Sequence, residues 1–380
     1  MTEVITKFVS RKISKIRWKS STDDSFQQSD TFTTGSWDDK RNQVSVWTTN
    51  TDGYRTWMAN QGLKTDIPEN EPQLLCNAIH DGDIMDLAYL NAELIVTSSS
   101  TGSLHLFKHN TNPQAISCQQ SWDRIHYHYG NNVCPCTCLA TKGDNTIVTC
   151  GEDGRLNIID INCKVPARII EKADGCTQNA ATFLKQNEVV TVNSIGQLKV
   201  WDIRQNKDEP TRIFLMTGER VPLHCVDKHP TQPHVVATGA MDGGLCIWDM
   251  RQDKFPVTLM DAHSSTMWEV RFHPTSPDNL FTCSEDGTVW HWDGTAVNNN
   301  KSQYGGSIFT SRNATSTEEP STTASANPWL GSDASKHRVE ITDVIPGNTM
   351  SINTIDITAN TLLCGSDGEA IFTVHNMAIR

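Results

Sequence analysis

LFTCSEDGTVWHWD (residues 280–293) reads as two short strands joined by a tight turn. LFTC and TVWHW are the apolar, β-branched and aromatic runs that suit a pleated surface. Asp286-Gly287 between them is a hairpin signal, because glycine accepts a positive φ at little steric cost. The pattern returns as IVTCGEDGRLNIID (147–160), VVTVNSIGQLKVWD (189–202) and VVATGAMDGGLCIWD (235–249). Weaker copies are FTTGSWDDKRNQVSVW (32–47), IVTSSSTGSLHLF (95–107) and LLCGSDGEAIFTV (362–374), which makes seven in all. The turn glycines Gly102, Gly154, Gly196, Gly243 and Gly287 stand 52, 42, 47 and 44 residues apart.

A further strand precedes each hairpin, as in MWEVRFHP (267–274), LHCVDKHP (223–230), IMDLAYL (84–90) and INTIDI (352–357). Another follows, as in PVTLMDAH (256–263). Four short antiparallel strands, repeated seven times at this period, predict an all-β, seven-bladed WD-repeat propeller. The seventh copy has no fourth strand after it. EVITKFV (3–9) precedes ISKIRW (13–18), the first strand of copy one, and is expected to close the last blade. Closure would remove the exposed edges that invite pairing with other chains. Residues 1–380 are thus read as one propeller with two loop insertions. Residues 48–71 are rich in Asn, Thr and Gly, and residues 295–337 in Ser, Thr, Asn and Ala. The second cannot build a core and is expected to be disordered. Its Trp329-Leu330 pair reads either as a docking anchor or as a plug against its own blade.

The rest of the composition narrows the function. The chain has 380 residues, 20% charged, with 32 Lys and Arg against 44 Asp and Glu for a net charge of −12. That balance argues against direct nucleic-acid binding, which needs clustered positive charge. No stretch approaches 18 consecutive apolar residues, so no transmembrane helix or membrane insertion is expected. The first twenty residues hold no apolar signal region. The twelve cysteines, many inside strand-like runs, are therefore expected to be reduced thiols of an intracellular protein.

Several residue sets could carry chemistry. His263, Ser284, Asp286 and Trp292 look like a base, a nucleophile and an acid. They fall, however, where blades of this repeat place a structural hydrogen-bonded network, which specifies the blade and catalyses nothing. The Trp position is Phe107 in copy two, Ile159 in copy three and Val374 or a neighbour in copy seven, so those blades need other packing. Cys134, Cys136 and Cys138 follow His126 and His128, a crowd of zinc-type ligands whose spacing is unlike the usual motifs. Strand alternation would instead put the three thiols on one buried face. Asn313-Ala314-Thr315 fits a glycosylation acceptor that stays silent without secretion. Lys7, Arg11, Lys12, Lys15, Arg17 and Lys19 form a basic cluster, read as an acidic-partner site, an import signal or a solvated strand edge. No Gly-rich phosphate loop, zinc-protease helix or nucleophile elbow is present, so neither catalytic nor cofactor-binding residues are expected and the chain is not read as an enzyme. Two consecutive blades end in Trp-Asp-X-Arg-Gln, at Trp201–Gln205 and Trp248–Gln252. This resembles the motif by which WD-repeat substrate receptors dock onto the adaptor of a cullin-RING ubiquitin ligase. Hot spots favour Trp and Arg, so Arg204, Arg251, Trp329 and Trp37 are the candidate protein-binding residues.

Longer strings carry a closer resemblance. KFVSRKISKIRW (7–18), TGSWDD (34–39), VNSIGQLKVWDIRQ (192–205), VPLHCVDKHP (221–230), MWEVRFHPTSPDNLFTCSEDGTVWHWD (267–293) and RVEITDVIPGNTMSINTIDI (338–357) resemble the small WD-repeat nucleoporins. The resemblance spans nearly the whole chain apart from the two insertions. It implies a non-catalytic scaffold subunit of the Y-shaped outer-ring complex of the nuclear pore. The implied partners are other nucleoporins, with the short-arm α-solenoid subunit first among them. Implied too are a place at the nuclear envelope, support of mRNA and protein transport, and in animals a mitotic role at kinetochores. Contacts made through residues 48–71 or 295–337 are not covered by it.

Overall fold

The computed structural model describes residues 2–20, 29–60, 71–130, 132–143, 145–216, 220–252, 254–295, 327–330 and 339–380. Seven four-stranded antiparallel sheets form the blades of a β-propeller. Their inner strands are Ile13–Trp18, Ile84–Tyr89, Cys138–Lys142, Gln178–Lys185, Leu223–Lys228, Met267–Phe272 and Ile352–Thr358, for blades one to seven. Blade six shows the plan: Met267–Phe272 pairs with Asn279–Ser284, that with Val289–Asp293, and that with Glu340–Asp343. Every turn between second and third strands, and every link from one outer strand to the next inner strand, lies at one end of the ring, here the upper face. The other loops lie on the lower face.

Closure follows the sequence expectation. Glu3–Phe8 pairs with Ala370–His375 from Glu3↔His375 to Phe8↔Ala370, so the N-terminal strand is the outer strand of blade seven. Each second strand is fully or almost fully buried, as in Val235–Ala240 and Asn279–Ser284, because it is covered by the blades on both sides. The small residue late in that strand has a packing reason. A Cβ on Gly239 would collide with Met267, and one on Gly365 with Ile13, each on the next blade's inner strand. At the hairpin, Gly243 has φ +85° and a Cβ there would collide with the carbonyl of His263. Both facts exclude a side chain there.

Inner strands have one free edge, and its amide groups need partners. Carboxylates of the preceding blade supply them. Asp86 accepts Leu139 N–H at 3.0 Å, Asp227 accepts Phe272 N–H at 2.9 Å and Asp356 accepts Trp18 N–H at 2.7 Å. Glu269 accepts Ile355 N–H at 3.0 Å. The blade seams are therefore hydrogen-bonded as well as apolar.

Five of the six side chains of the basic N-terminal cluster are paired with carboxylates. Lys7 meets Glu71 at 3.2 Å, and Arg11 and Lys12 meet Asp39 and Asp38. Lys15 and Arg17 both reach Glu269, at 2.6 and 2.7 Å, from blade one to blade six. Residues 48–71 also differ from the loop expectation, because Thr51–Asn60 is a helix. Asn50 caps it, accepting Gly53 N–H at 2.8 Å, and Asp52 stands in its first turn. Most of residues 295–337, including Asn313, lies outside the described residues.

Candidate protein-binding surfaces

The His263 set is built from four local features. The link into blade six brings His263 beneath the hairpin, and the second and third strands bring Thr282 and Trp292. His263 Nε2 bonds Thr282 Oγ1 at 2.8 Å, and Trp292 Nε1 donates to the same oxygen at 3.0 Å. His263 Nδ1 bonds Thr288 Oγ1 at 2.9 Å and lies 3.3 Å from Asp286. Ser284 stands aside from that relay: its hydroxyl donates to the carbonyl of Ser265 at 3.1 Å and accepts Asp286 N–H. Burial lowers the His263 pKa despite Asp286, so the ring is held neutral. Every hydrogen-bonding atom of the imidazole is thus engaged inside the blade.

The repeat explains why Thr282 is the hub. Trp47, Trp201 and Trp248 donate in the same way to Thr34, Thr191 and Thr238, at 2.9, 3.0 and 2.9 Å. A threonine stands two residues after the start of five of the seven strings and three after the start of VVATG, whereas copy seven has Cys364 there. Blades two and three, which lack the tryptophan, keep the histidine on that threonine. His80 bonds Thr97 at 2.9 Å and stacks edge-on with His105, and His126 bonds Thr149 at 2.9 Å and Asp153 at 3.0 Å.

Those bonds also remove His126 from any zinc site. Cys134 and Cys136 are fully buried in the link before blade three, and only Cys138 begins its inner strand. Burial pushes the Cys134 thiol up to about 12 and Cys136 well above its ordinary value. Among the described residues no group of three or more His, Cys, Asp or Glu is arranged to hold a metal. The stretch between the histidines and the cysteines forms instead a small hairpin, Tyr127–His128 with Asn132–Val133. It is anchored by the Arg155 guanidinium, 3.8 Å from the centre of the Tyr127 ring, and carries Tyr129 fully exposed at its tip. Nothing in the residue pattern had marked it.

The four candidate binding residues fall in three places. Arg204 and Arg251 lie at equivalent turns on the lower face of blades four and five. Arg204 holds Asp202 through two bonds of 3.0 and 2.9 Å, and Arg251 holds Asp249 through 2.9 and 2.7 Å. Both side chains remain more than 60% exposed, so each guanidinium is presented in a fixed pose. Trp37 lies on the upper face. Its Nε1 donates to Asp367 of blade seven at 3.0 Å, not to blade one's own loop. Trp329 does not stand out as a docking anchor: it is 2% exposed, packs edge-on against Phe272 at 6.1 Å, and donates to the carbonyl of Pro277 at 2.9 Å. A ring so enclosed is part of the core between blades five and six, and no partner can reach it.

The central channel is lined by inner strands and holds two cavities of ≈ 250 Å³ each. Glu269 is its electrostatic centre. Burial raises its pKa, but Arg17, Lys15 and Arg271 outweigh that and hold the carboxyl well below the ordinary range. No helix among the described residues is long and apolar enough to cross a membrane.

Comparison with known proteins agrees with this geometry. The WD domain, G-beta repeat model matches residues 210–249 and 254–293. Each match runs from an outer strand through the next blade's third strand, so the sequence repeat is offset from the structural blade. Nucleoporin Nup43 of Mus musculus is 46% identical over 99% of this chain and 100% of its own length, and that of Homo sapiens is 45% identical over the same shares. The nuclear pore complex protein nup43 of Dictyostelium discoideum is 29% identical over 39% of this chain and 35% of its own.

Proposed function

The chain belongs to the nucleoporin Nup43 family, and from that premise we propose that it is a non-catalytic scaffold subunit of the nuclear pore outer ring. It binds other nucleoporins of the Y-shaped complex, the short-arm α-solenoid subunit first, and so supports nucleocytoplasmic transport of mRNA and protein. The observation that carries this reading is identity across the full length of both chains, insertions included in the span. The site chemistry supports it: the constellations that resemble acid–base sets, His263 with Asp286 and Ser284 and His126 with Asp153, are committed to blade hydrogen bonds. The test is affinity purification of the tagged chain at native expression, with copy numbers from mass spectrometry. Near-stoichiometric short-arm scaffold nucleoporins are expected. Recovery without them overturns the reading.

A second reading, substrate receptor of a cullin-RING ubiquitin ligase, is favoured by one observation. Arg204 and Arg251 are exposed, fixed by their own aspartates and equivalent on adjacent blades. Under it, Arg204→Ala with Arg251→Ala abolishes adaptor binding and spares nucleoporin binding. Unchanged adaptor recovery sinks it.

A further inference from the structure

The inner strands share an irregularity at their upper end. Pairing with the second strand skips one residue in blades one, two, four, five, six and seven. The skipped residues are Ser14, Met85, Asn179, His224, Trp268 and Asn353. A bulge turns its extra side chain out of the sheet's alternation, which is how barrels aim residues at their rims. All six line one cavity at the upper mouth of the channel, together with Thr137 at the same place in blade three.

These side chains divide by use. Asn179 and Asn353 donate to the carbonyls of Leu223 and Ile13 on the next blade, at 2.8 and 3.0 Å. Thr137 likewise bonds the Gln178 carbonyl of the next blade, and these three stitch seams, whereas Ser14 bonds the Gly35 carbonyl of its own blade. Met85 makes no such bond, His224 has no hydrogen-bond partner among the described residues, and Trp268 Nε1 is buried without one. His224 and Trp268 stack edge-on, centres 5.4 Å apart. Met85, His224 and Trp268, with Trp37 held across the seam to blade seven by Asp367, therefore make an apolar, half-buried wall at the mouth.

Charge around this wall has one sign to spare. Lys15 also lines the cavity, but its ammonium is bound by Glu269 at 2.6 Å. Glu152 lines it with its carboxylate 44% exposed, 4.0 Å from the exposed His128. Glu285 lies near enough to His224 to oppose the effect of burial on that ring. The cavity, ≈ 250 Å³, is below the roughly 300–1,000 Å³ of small-molecule sites, and suits one or two side chains of an extended chain.

We propose that the upper mouth of the channel is a peptide-binding site, which takes an aliphatic side chain against Met85 and Trp268 with an adjacent Arg or Lys paired to Glu152. The partner is a segment of another protein with that basic–aliphatic chemistry. The site stands whether or not the chain attaches to the pore, since it rests on the bulges and the mouth's charge.

The test immobilises the full chain and passes three pools of capped peptides with randomised flanks. Their fixed centres are Arg-Leu, Glu-Leu and Arg-Gly. Retention of the Arg-Leu pool at least tenfold above the others is expected. Glu152→Lys, an exposed change, should remove the preference for Arg over Glu, and Met85→Asp the preference for Leu over Gly, with melting temperatures checked for both. Equal retention of the three pools overturns the proposal, as does a preference that survives Glu152→Lys. Arg-Leu binding that emerges only on deletion of residues 296–326 assigns the mouth to the chain's own segment and overturns it too. Self-association abolished by Glu152→Lys, without peptide binding, assigns it to a second copy.

Discussion

Glu269 sits on the inner strand of blade six, yet its carboxylate also serves blades one and seven. It receives Lys15 and Arg17 from blade one and the Ile355 amide from blade seven. Replacing it by Gln leaves two cations facing each other near the axis, and losing one partner of a buried pair costs about 3–5 kcal/mol. Urea denaturation of Glu269→Gln should show that loss, and a midpoint within error of wild type would contradict it. Thr282 is the second such residue. Thr282→Val keeps the shape but strands His263 Nε2 and Trp292 Nε1, a cost of about 1–3 kcal/mol for each buried group left unpaired. The same denaturation curve reads it, and Thr275→Val, on an exposed turn, is the control. None of these roles was legible in the string. KISKIRW shows strand alternation, but the shared partner of Lys15 and Arg17 lies some 250 positions away, and charge order in one segment cannot name it. The serine of the repeat draws notice in the string because it resembles a nucleophile. The threonine that bonds the tryptophan looks, by itself, like any β-branched strand residue.

At the scale of elements the repeat was readable, because hairpin chemistry is local. Asp-Gly steps, β-branched runs and a small residue at the seam each follow from contacts within one blade or with the next. The strand Glu3–Phe8 was legible by arithmetic: seven copies left one strand missing and one segment over. Its burial pattern is mostly exposed, so its worth lies in the ladder with Ala370–His375 more than in apolar area. Deleting residues 2–8 should therefore lower the melting temperature by several degrees and expose a strand edge that promotes association. Calorimetry with light scattering checks both, and an unchanged melting temperature would mean that the ring holds without its clasp. The helix Thr51–Asn60 was not readable, because Asn, Thr, Asp and Gly mark loops and helix starts alike. Only the bond from Gly53 N–H to the Asn50 side chain separates the two. Trp329 was open for a related reason: a Trp-Leu pair in a polar loop is the same string whether it points out or in.

The whole ring has a pH signature set by histidines at its seams and hairpins. His80, 3% exposed, and His229, 2% exposed, both have pKa values lowered to about 4, chiefly by burial. In the unfolded chain the same rings titrate near 6.5. Below that pH the unfolded state binds protons that the folded state refuses, so stability present above about 6.5 is lost as pH falls toward 4. A shift of that size is worth about 3 kcal/mol for one fully buried ring. Burial raises the pKa of Asp227 and Asp356, which pulls the other way because the folded state then takes protons first. Two rings lowered this far, with His263, His105 and His291 shifted in the same direction, outweigh two carboxyls between pH 6.5 and 4.5. Melting temperature should fall steadily across that range at fixed ionic strength. His80→Gln, which can still bond Thr97, should flatten the slope while lowering stability at pH 7.5. A flat wild-type profile, or one rising toward pH 4.5, would mean that the buried histidines do not govern the acid response and that the channel carboxylates do.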